Sequence, residues 1–422
     1  MEMAAPVQRI APRRKGEKEG LNLLHKLAGT TWALFGHTYP SLKVNESLNL
    51  FKTSLVLYED HLLHDLDSSS CIPYRALLKE AHLKKKHWVY ASYMATLSSL
   101  PLLFKVQDRD ILNEAVLAKT GIGTSTKLLD NLNDSIQTAE EAAVSLNCYQ
   151  KALTDPSYEV PRLSSDAPKV LYAVNSALVM GRWVPRILIR CDAPYAQHEY
   201  VADVKKLIQG QLDSVTHRSY GSQRIPTIEE YLASISEKSI GDTWLDVDLC
   251  FLEDGIGHLD QKMIRGLNIL REGYRSIFKA SLIYDDAQDL QVDISENAVN
   301  SSILLALKAG VIDLDEIDQN HPEETIRKLD KYGVTTDAIY LADLLFIKGV
   351  RRIEDAKLYL PDIIDWKALM FSFRFVRLFN LRKILLRRRD SETLRLFLTS
   401  LRSFDKIYDQ IPERILALER YL

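Results

Sequence analysis

Two short acidic segments are the parts of this sequence best suited to chemistry. Asp130 and Asp134 lie four residues apart in the first, and Asp285 and Asp289 repeat that spacing in the second. On an α-helix this spacing places both carboxylates on one face, one turn apart. Because like charges at that distance repel, and because hard divalent cations prefer carboxylate oxygen, the two pairs predict binding of magnesium.

Either acidic pair taken alone has a simpler interpretation, since one such pair usually marks a solvated helix face. Two pairs are more informative, because each follows an apolar stretch and Asp293 extends the second pair by another turn. Metal sites inside helical bundles are built from side chains on facing helices. Two facing acidic stripes could therefore hold a magnesium–diphosphate cluster between them.

The elements that must position these carboxylates are predicted to be helices throughout. The chain has 422 residues and 46% hydrophobic content, which suffices for a large core. Apolar residues recur at three- and four-residue spacing over 170–184, 342–353 and 366–386. Glycine and proline are sparse, at 17 and 14 residues. The sequence therefore predicts the all-α class.

Loops and boundaries are indicated by local composition. Loops are predicted over 154–168, 219–227 and 313–322, and Thr227 to Glu230 has the pattern of a helix-starting capping box. Arginine becomes frequent in the last third. We therefore expect a basic disordered tail over 1–20, a catalytic helical bundle over 21–305 and a C-terminal helical extension over 306–422.

Bulk composition excludes several classes of function. The formal net charge of −3 gives no indication of nucleic-acid binding. No apolar run is long enough for a transmembrane helix, and no secretory signal is evident. The four cysteines are scattered, which favours a reducing compartment and argues against a structural zinc site. A cytoplasmic protein is expected.

Two further segments lie between the acidic motifs, and together the four carry a family resemblance. Residues 207–213 read LIQGQLD and residues 227–239 read TIEEYLASISEKS. The ordered set, spanning about residues 110–295, resembles the trans-prenyl diphosphate synthases. Their superfamily, the class I isoprenoid synthases, also contains terpene cyclases and squalene synthase-like enzymes.

The resemblance implies a large helical bundle with a central cavity, commonly a homodimer, acting on an isoprenyl diphosphate. It implies about three magnesium ions per site, held by Asp130, Asn131, Asp134, Asp285 and Asp289. It also implies substrate-diphosphate contacts from Lys238, Gln211 and Asp213. Arg218 and Arg224 are further candidates for the diphosphate, with a solvated loop as the alternative. No nucleophilic side chain is needed, because magnesium and basic groups stabilise the leaving diphosphate electrostatically.

Departures from the family pattern bear on the reaction. Elongating enzymes bind isopentenyl diphosphate through a Gly-Gly-Lys-Arg-like segment and an Arg-Arg-Gly after the first motif, and this sequence has neither. A second diphosphate without cationic partners would bind poorly. A terpene synthase or cyclase using one diphosphate is therefore favoured. A chain-elongating prenyltransferase and a non-catalytic partner subunit stay open, and the Asp-Asp-x-x-Asp form of the second motif is typical of elongating enzymes.

The basic amphipathic segment 371–389 has two interpretations. It could lie on an anionic membrane surface, which would suit a lipophilic substrate. It could instead pack on the body of the protein with a charged outer side. The second is favoured, and a peripheral membrane contact is left open.

Overall fold

A computed structural model describes residues 39–80, 82–106, 108–135, 138–216, 225–234, 239–360, 362–400 and 403–422. Within these ranges the regular structure is helical and contains no strand, which confirms the predicted all-α class. The tail predicted over 1–20 lies outside the described residues. None of the described helices is both long and apolar enough to cross a membrane.

The α-helices follow one another along the chain as a continuous series. They are α1 (Val44–Asp65), α2 (Tyr74–Lys79), α3 (Lys85–Leu102), α4 (Arg109–Ser135), α5 (Ala139–Thr154), α6 (Lys169–Gly181), α7 (Trp183–Leu188), α8 (Pro194–Thr216), α9 (Ile228–Ser234), α10 (Gly241–Ile256), α11 (Gln261–Ser295), α12 (Ser301–Lys308), α13 (Pro322–Lys331), α14 (Val334–Ala356), α15 (Trp366–Arg388), α16 (Ser391–Thr399), α17 (Phe404–Tyr408) and α18 (Glu413–Leu416).

Several predicted boundaries agree with these helices. The loop predicted at 154–168 falls between α5 and α6, and the one at 313–322 holds only the short 3₁₀ turn Leu314–Glu316 before α13 begins. The capping box at the start of α9 is present. Glu230 donates its backbone N–H to the Thr227 hydroxyl at 3.2 Å, and Thr227 donates its N–H to the Glu230 carboxylate at 2.8 Å.

One hydrophobic core runs from Tyr58 to Leu418 and includes side chains on both sides of residue 305. The pairing of α11 with α14 links the two parts most closely. A methyl group added at Gly349 would meet the Gly273 carbonyl, so these two glycines allow the backbones to touch. The division at residue 305 stays a prediction, and the two parts share their core.

Three buried ion pairs join neighbouring helices, and two of them involve the helices that carry the acidic motifs. They are Lys119–Asp248 between α4 and α10, Arg271–Asp203 between α11 and α8, and Arg377–Asp343 between α15 and α14. Every side chain in these pairs is at most 6% exposed. Because breaking a buried pair leaves an uncompensated charge, the pairs fix α4 against α10, α11 against α8 and α15 against α14.

The basic amphipathic segment is α15, and it is packed into the body. Phe371, Phe375 and Leu381 are buried, and so is Arg377, which pairs with Asp343. The packed interpretation of this segment is therefore the one that the structure adopts. The four cysteines are unpaired.

Candidate active site

The first acidic motif lies in the last two turns of α4. Asp130 is 30% exposed, and its carboxylate accepts from the Lys127 ammonium at 2.7 Å. Asn131 donates its side-chain amide to the His82 carbonyl at 3.1 Å. Asp134 is in the helix, but its side chain lies outside the described residues. Because a helix C-terminus carries partial negative charge, carboxylates here require cations nearby.

The second motif divides its aspartates between two directions. Asp285 and Asp289 point toward α15, where the Lys383 ammonium lies 3.8 Å and 3.5 Å from their carboxylate oxygens. Asp286 points toward α9 and α12. It accepts from the Tyr231 hydroxyl at 2.8 Å and from the Ser301 backbone N–H at 3.0 Å. The side chain of Asp286 therefore anchors neighbouring helices.

Asp293, like Asp286, is directed toward a neighbouring helix rather than toward Lys383. It accepts from the Asn300 side-chain amide at 2.6 Å, and Asn300 in turn caps the N-terminus of α12. Burial raises the pKa of Asp293 to about 8, and the nearby charge of Asp286 adds to this effect. The acidic stripe expected over three helical turns thus has two carboxylates toward Lys383 and a third in a helix-capping network.

The two motifs face each other closely enough to interact electrostatically. Burial would lower the pKa of Lys127, but the carboxylates of Asp130, Asp285 and Asp289 raise it. Burial also raises the pKa of Asp285, with a further contribution from Asp289, while Lys383 and Lys127 act in the opposite direction. These five side chains, from α4, α11 and α15, form what we call the acidic cleft.

The Asp285 carboxylate of the acidic cleft is accessible to solvent. The Asp285 side chain is 61% exposed, although burial is the main cause of its raised pKa. The two observations are compatible for a carboxylate that solvent can reach on one side while surrounding protein displaces bulk water on the others. A carboxylate held in this way is available to a cation and its ligands.

Basic groups at the start of α3 border the acidic cleft. Burial lowers the pKa of His87 to about 4, and the charges of Lys86, Lys127, Lys84 and Lys383 act in the same direction. These lysines were not predicted from the sequence to be part of the site. Three consecutive lysines at 84–86 were a visible signal, but nothing in the local pattern showed that they lie near the aspartates.

We expect His87 to stay neutral throughout the physiological pH range. An NMR titration of its imidazole should have a midpoint near 4, and Lys383→Gln should raise that midpoint because one like charge is removed. His321 is a matched control, since its hydrogen bond with Asp318 raises its pKa. A His87 midpoint close to that of a free histidine would contradict its burial, and a midpoint unchanged by Lys383→Gln would contradict the proximity of that lysine.

Aromatic side chains lie beneath the acidic cleft on the motif helices. Phe278 precedes Asp285 by two turns, and Gly123 precedes Asp130 by two turns, so both are about 10 Å below the carboxylates. Trp244 fills the space between them. Its ring centroid is 6.4 Å from that of Phe278, and a Cβ at Gly123 would lie 3.1 Å from the indole.

A second aromatic contact joins α3 and α15. Tyr90 follows His87 by one turn and Phe379 precedes Lys383 by one turn, and their ring centroids are 5.1 Å apart. The ring of Tyr93, another turn down α3, lies 6.5 Å from Phe379. Aromatic side chains are therefore packed one to two helical turns from the acidic cleft, and we call this region the aromatic interior.

The other predicted site residues are placed less fully. Gln211 and Asp213 lie near the end of α8, where Asp213 accepts from the Gln209 side-chain amide at 2.9 Å. Lys238, Arg218 and Arg224 lie outside the described residues. Their predicted contacts with a diphosphate stay predictions.

The donor groups of the acidic cleft fit magnesium with a phosphate partner. Among the described side chains, no three acidic, histidine or cysteine groups converge as a self-sufficient metal site would require. Magnesium does not demand this, because it is commonly held by one or two carboxylates together with water and substrate phosphates. Asp130 on one wall and Asp285 with Asp289 on the other supply carboxylates of that kind.

A cavity of about 430 Å³ lies at the opposite end of α3 and α4. It is lined by Leu50, Leu100 and Leu112 together with Lys43 and Arg109. Leu112 precedes the first motif by eighteen residues of the same helix, which corresponds to about 27 Å. This cavity is therefore separate from the acidic cleft.

Comparison with known proteins gives structural similarity without sequence similarity. No family model matches the sequence, and no curated protein matches it. A reconstructed ancestral protein, SVS_A2, is 14% identical over 80% of this chain and 84% of its own, with a TM-score of 0.48. A geranylgeranyl pyrophosphate synthetase from the archaeon Geoglobus acetivorans is 16% identical over 77% and 97%, with a TM-score of 0.46.

A cucumene synthase variant is also similar, at 12% identity over 76% of this chain and 96% of its own, with a TM-score of 0.41. Solved structures that align with most of this helical chain thus include a geranylgeranyl pyrophosphate synthetase and a cucumene synthase variant. All three TM-scores are below 0.5.

Proposed function

We propose that this protein is a magnesium-dependent enzyme that ionises an allylic isoprenyl diphosphate and releases pyrophosphate, in the manner of a terpene synthase. The observation that carries the proposal is the acidic cleft itself. Asp130 and Asp285 come from helical segments far apart in the sequence, yet the charge of Asp130 contributes to the raised pKa of Asp285. Aromatic side chains lie below it.

The reaction follows from the charges on the two sides of the scissile bond. The bond between the allylic carbon and the diphosphate oxygen breaks heterolytically, and the electron pair leaves with pyrophosphate. Bound magnesium would neutralise the charge that develops on that oxygen. Asp130, Asp285 and Asp289 would hold the metal, and Lys127 and Lys383 would add positive charge on either side of the diphosphate.

The aromatic interior would receive the cation that remains. Trp244, Phe278, Tyr90 and Phe379 lie within one or two helical turns of the acidic cleft. The rings of Phe379 and Tyr90 already contact a cation, the Arg382 guanidinium, at 3.7 Å and 5.5 Å. Aromatic faces attract cations and contain no nucleophile. Apolar walls also exclude water, which would otherwise capture the cation before it rearranged and lost a proton.

Chain elongation is a second candidate, favoured by one observation. The sequence lacks the family's segments for isopentenyl diphosphate, but Lys84 and Lys86 lie beside the acidic cleft. Cationic groups in that position could bind a second diphosphate. The attack of isopentenyl diphosphate on the allylic cation would then form a carbon–carbon bond, and the product would lose a proton.

One assay tests these alternatives. The purified protein is incubated with magnesium and allylic diphosphates from geranyl to geranylfarnesyl, with and without isopentenyl diphosphate. Pyrophosphate release is measured and the organic extract is analysed. Release without isopentenyl diphosphate supports the terpene synthase, and release only in its presence supports elongation. No release in any mixture would overturn the catalytic proposal and favour the non-catalytic partner subunit.

Several finer features stay predictions. They are the number of magnesium ions, the diphosphate contacts of Lys238, Gln211, Asp213, Arg218 and Arg224, a homodimeric assembly, a cytoplasmic location and a peripheral membrane contact.

A further inference from the structure

Each acidic motif has a lysine of this chain as its counter-ion. Lys127 contacts Asp130 at 2.7 Å within α4, and Lys383 of α15 lies between Asp285 and Asp289 at 3.8 Å and 3.5 Å. The two lysines come from different helices, but both act on Asp285. They therefore belong to the same cleft, where Lys127 is the counter-ion of Asp130 and Lys383 is the counter-ion of Asp285 and Asp289.

These ion pairs are of a kind that can exchange. Lys127 and Lys383 are 46% and 26% exposed, and single ammonium–carboxylate contacts at such exposure are weak. The Arg377–Asp343 pair is the contrast within the same structure. It is buried, has two N–H···O contacts of 2.7 Å and 2.8 Å, and has further backbone and hydroxyl partners. Pairs of that kind do not open for a ligand.

We propose that Lys127 and Lys383 occupy the cation positions of the two motifs in the resting protein, and that metal binding displaces them onto the diphosphate. A carboxylate oxygen bound to a metal has little remaining capacity for an ammonium group on the same side. Lysine has a flexible four-carbon stem and a compact charge, so either ammonium can rotate from a carboxylate toward a phosphate oxygen.

The exchange has two parts that depend on different premises. Competition between the lysines and a metal depends only on the contacts in the acidic cleft. The transfer of the ammonium groups to a diphosphate rests on the proposed function. Removal of one lysine should therefore have effects of opposite sign, with tighter binding of the metal alone and weaker binding of pyrophosphate in the presence of the metal.

The test uses Lys127→Gln and Lys383→Gln in the full chain, with Mn²⁺ and inorganic pyrophosphate as probes. Each variant should bind Mn²⁺ more tightly without substrate, by up to about fivefold, because a competing ion pair is removed. Each should bind magnesium pyrophosphate more weakly, by about tenfold or more, because a charged donor is lost. Mn²⁺ binding is measured by electron paramagnetic resonance and pyrophosphate binding by calorimetry.

Two controls separate this mechanism from a structural effect. Lys328→Gln removes a lysine from a comparable exposed ion pair with Glu316, outside the acidic cleft, and should change neither affinity. Lys383→Arg keeps the charge and should keep pyrophosphate binding within a few-fold of wild type. Circular dichroism and urea unfolding verify that each variant is folded.

Each result bears on a distinct part of the inference. Unchanged or weaker Mn²⁺ binding in both glutamine variants would overturn the exchange. Tighter Mn²⁺ binding with unchanged pyrophosphate binding would overturn the transfer to diphosphate. Tighter Mn²⁺ binding together with weaker pyrophosphate binding would support the exchange even if the protein turned over no isoprenyl diphosphate. The absence of turnover would then refute the proposed function alone, so failure of the exchange and failure of the proposed function are distinguishable.

Discussion

Asp285→Asn lowers the rate of magnesium-dependent pyrophosphate release by at least about a hundredfold, if the acidic cleft is the active site. The substitution keeps the size of the side chain and removes the charge that holds the metal. The same substitution should not lower the stability of the protein. Because burial and Asp289 raise the pKa of Asp285, the fold disfavours the charged carboxylate when metal is absent. The amide therefore leaves the unfolding free energy unchanged or raises it.

The neighbouring carboxylate provides a matched control. Asp286→Asn changes the adjacent residue of the same motif, but Asp286 accepts from Tyr231 and Ser301 and does not contact Lys383 in the described contacts. It should retain activity and lose stability, because a partly buried, charge-assisted hydrogen bond is weakened. Rates are measured by pyrophosphate release and stability by urea unfolding. Equal losses of rate in the two variants would refute the assignment of roles within the motif.

The features predicted correctly from sequence are those that local patterns specify. Apolar spacing predicted the helices around α6, α14 and α15, because one buried face of a helix requires that period. The capping box at Thr227 was predicted because its two hydrogen bonds join residues three apart. The i and i+4 spacing of Asp285 and Asp289 placed both carboxylates on one face for the same reason.

The features that were missed depend on contacts across long stretches of sequence. Lys383 lies 94 residues beyond Asp289, and Lys84 precedes Asp130 by several helical turns and a loop. In the sequence each is one basic residue among many. In the sequence, Asp286 and Asp293 are also acidic residues of the second motif. Only the position of α12 shows that they, unlike Asp285, contact the start of that helix. Tertiary packing decides which carboxylates of one acidic stripe meet a cation and which cap a helix.

The buried arginine of α15 shows how strongly this packing supports the site. Arg377 lies on the helix that carries Lys383, and it pairs with Asp343 of α14. Asp343 also accepts from the hydroxyl of Tyr284, the residue directly before Asp285. One carboxylate therefore connects the helix of the second motif with the helix that supplies its counter-ion. From sequence alone, Arg377 was one of several basic residues expected on an outer surface.

Arg377→Met should lower the free energy of unfolding by about 3–5 kcal/mol, because it leaves the Asp343 carboxylate buried without its cation. The loss would be a large fraction of the total, since domains are typically stable by about 5–15 kcal/mol. Urea denaturation followed by circular dichroism measures it. Arg352→Met is the matched control, because Arg352 pairs with Glu272 at 3.0 Å but is 52% exposed, and it should cost no more than about 1 kcal/mol.

The double variant Arg377→Met with Asp343→Leu tests the physical cause. Removing both charges eliminates the unpaired carboxylate, so the pair of substitutions should be less destabilising than Arg377→Met alone. The remaining cost would come from the Tyr284 hydroxyl and the Leu396 carbonyl, which both lose a partner. If the double variant were as unstable as the sum of the single ones, packing of α15 rather than the unpaired charge would be the cause. Its pyrophosphate release would then show whether α15 still presents Lys383 to the acidic cleft.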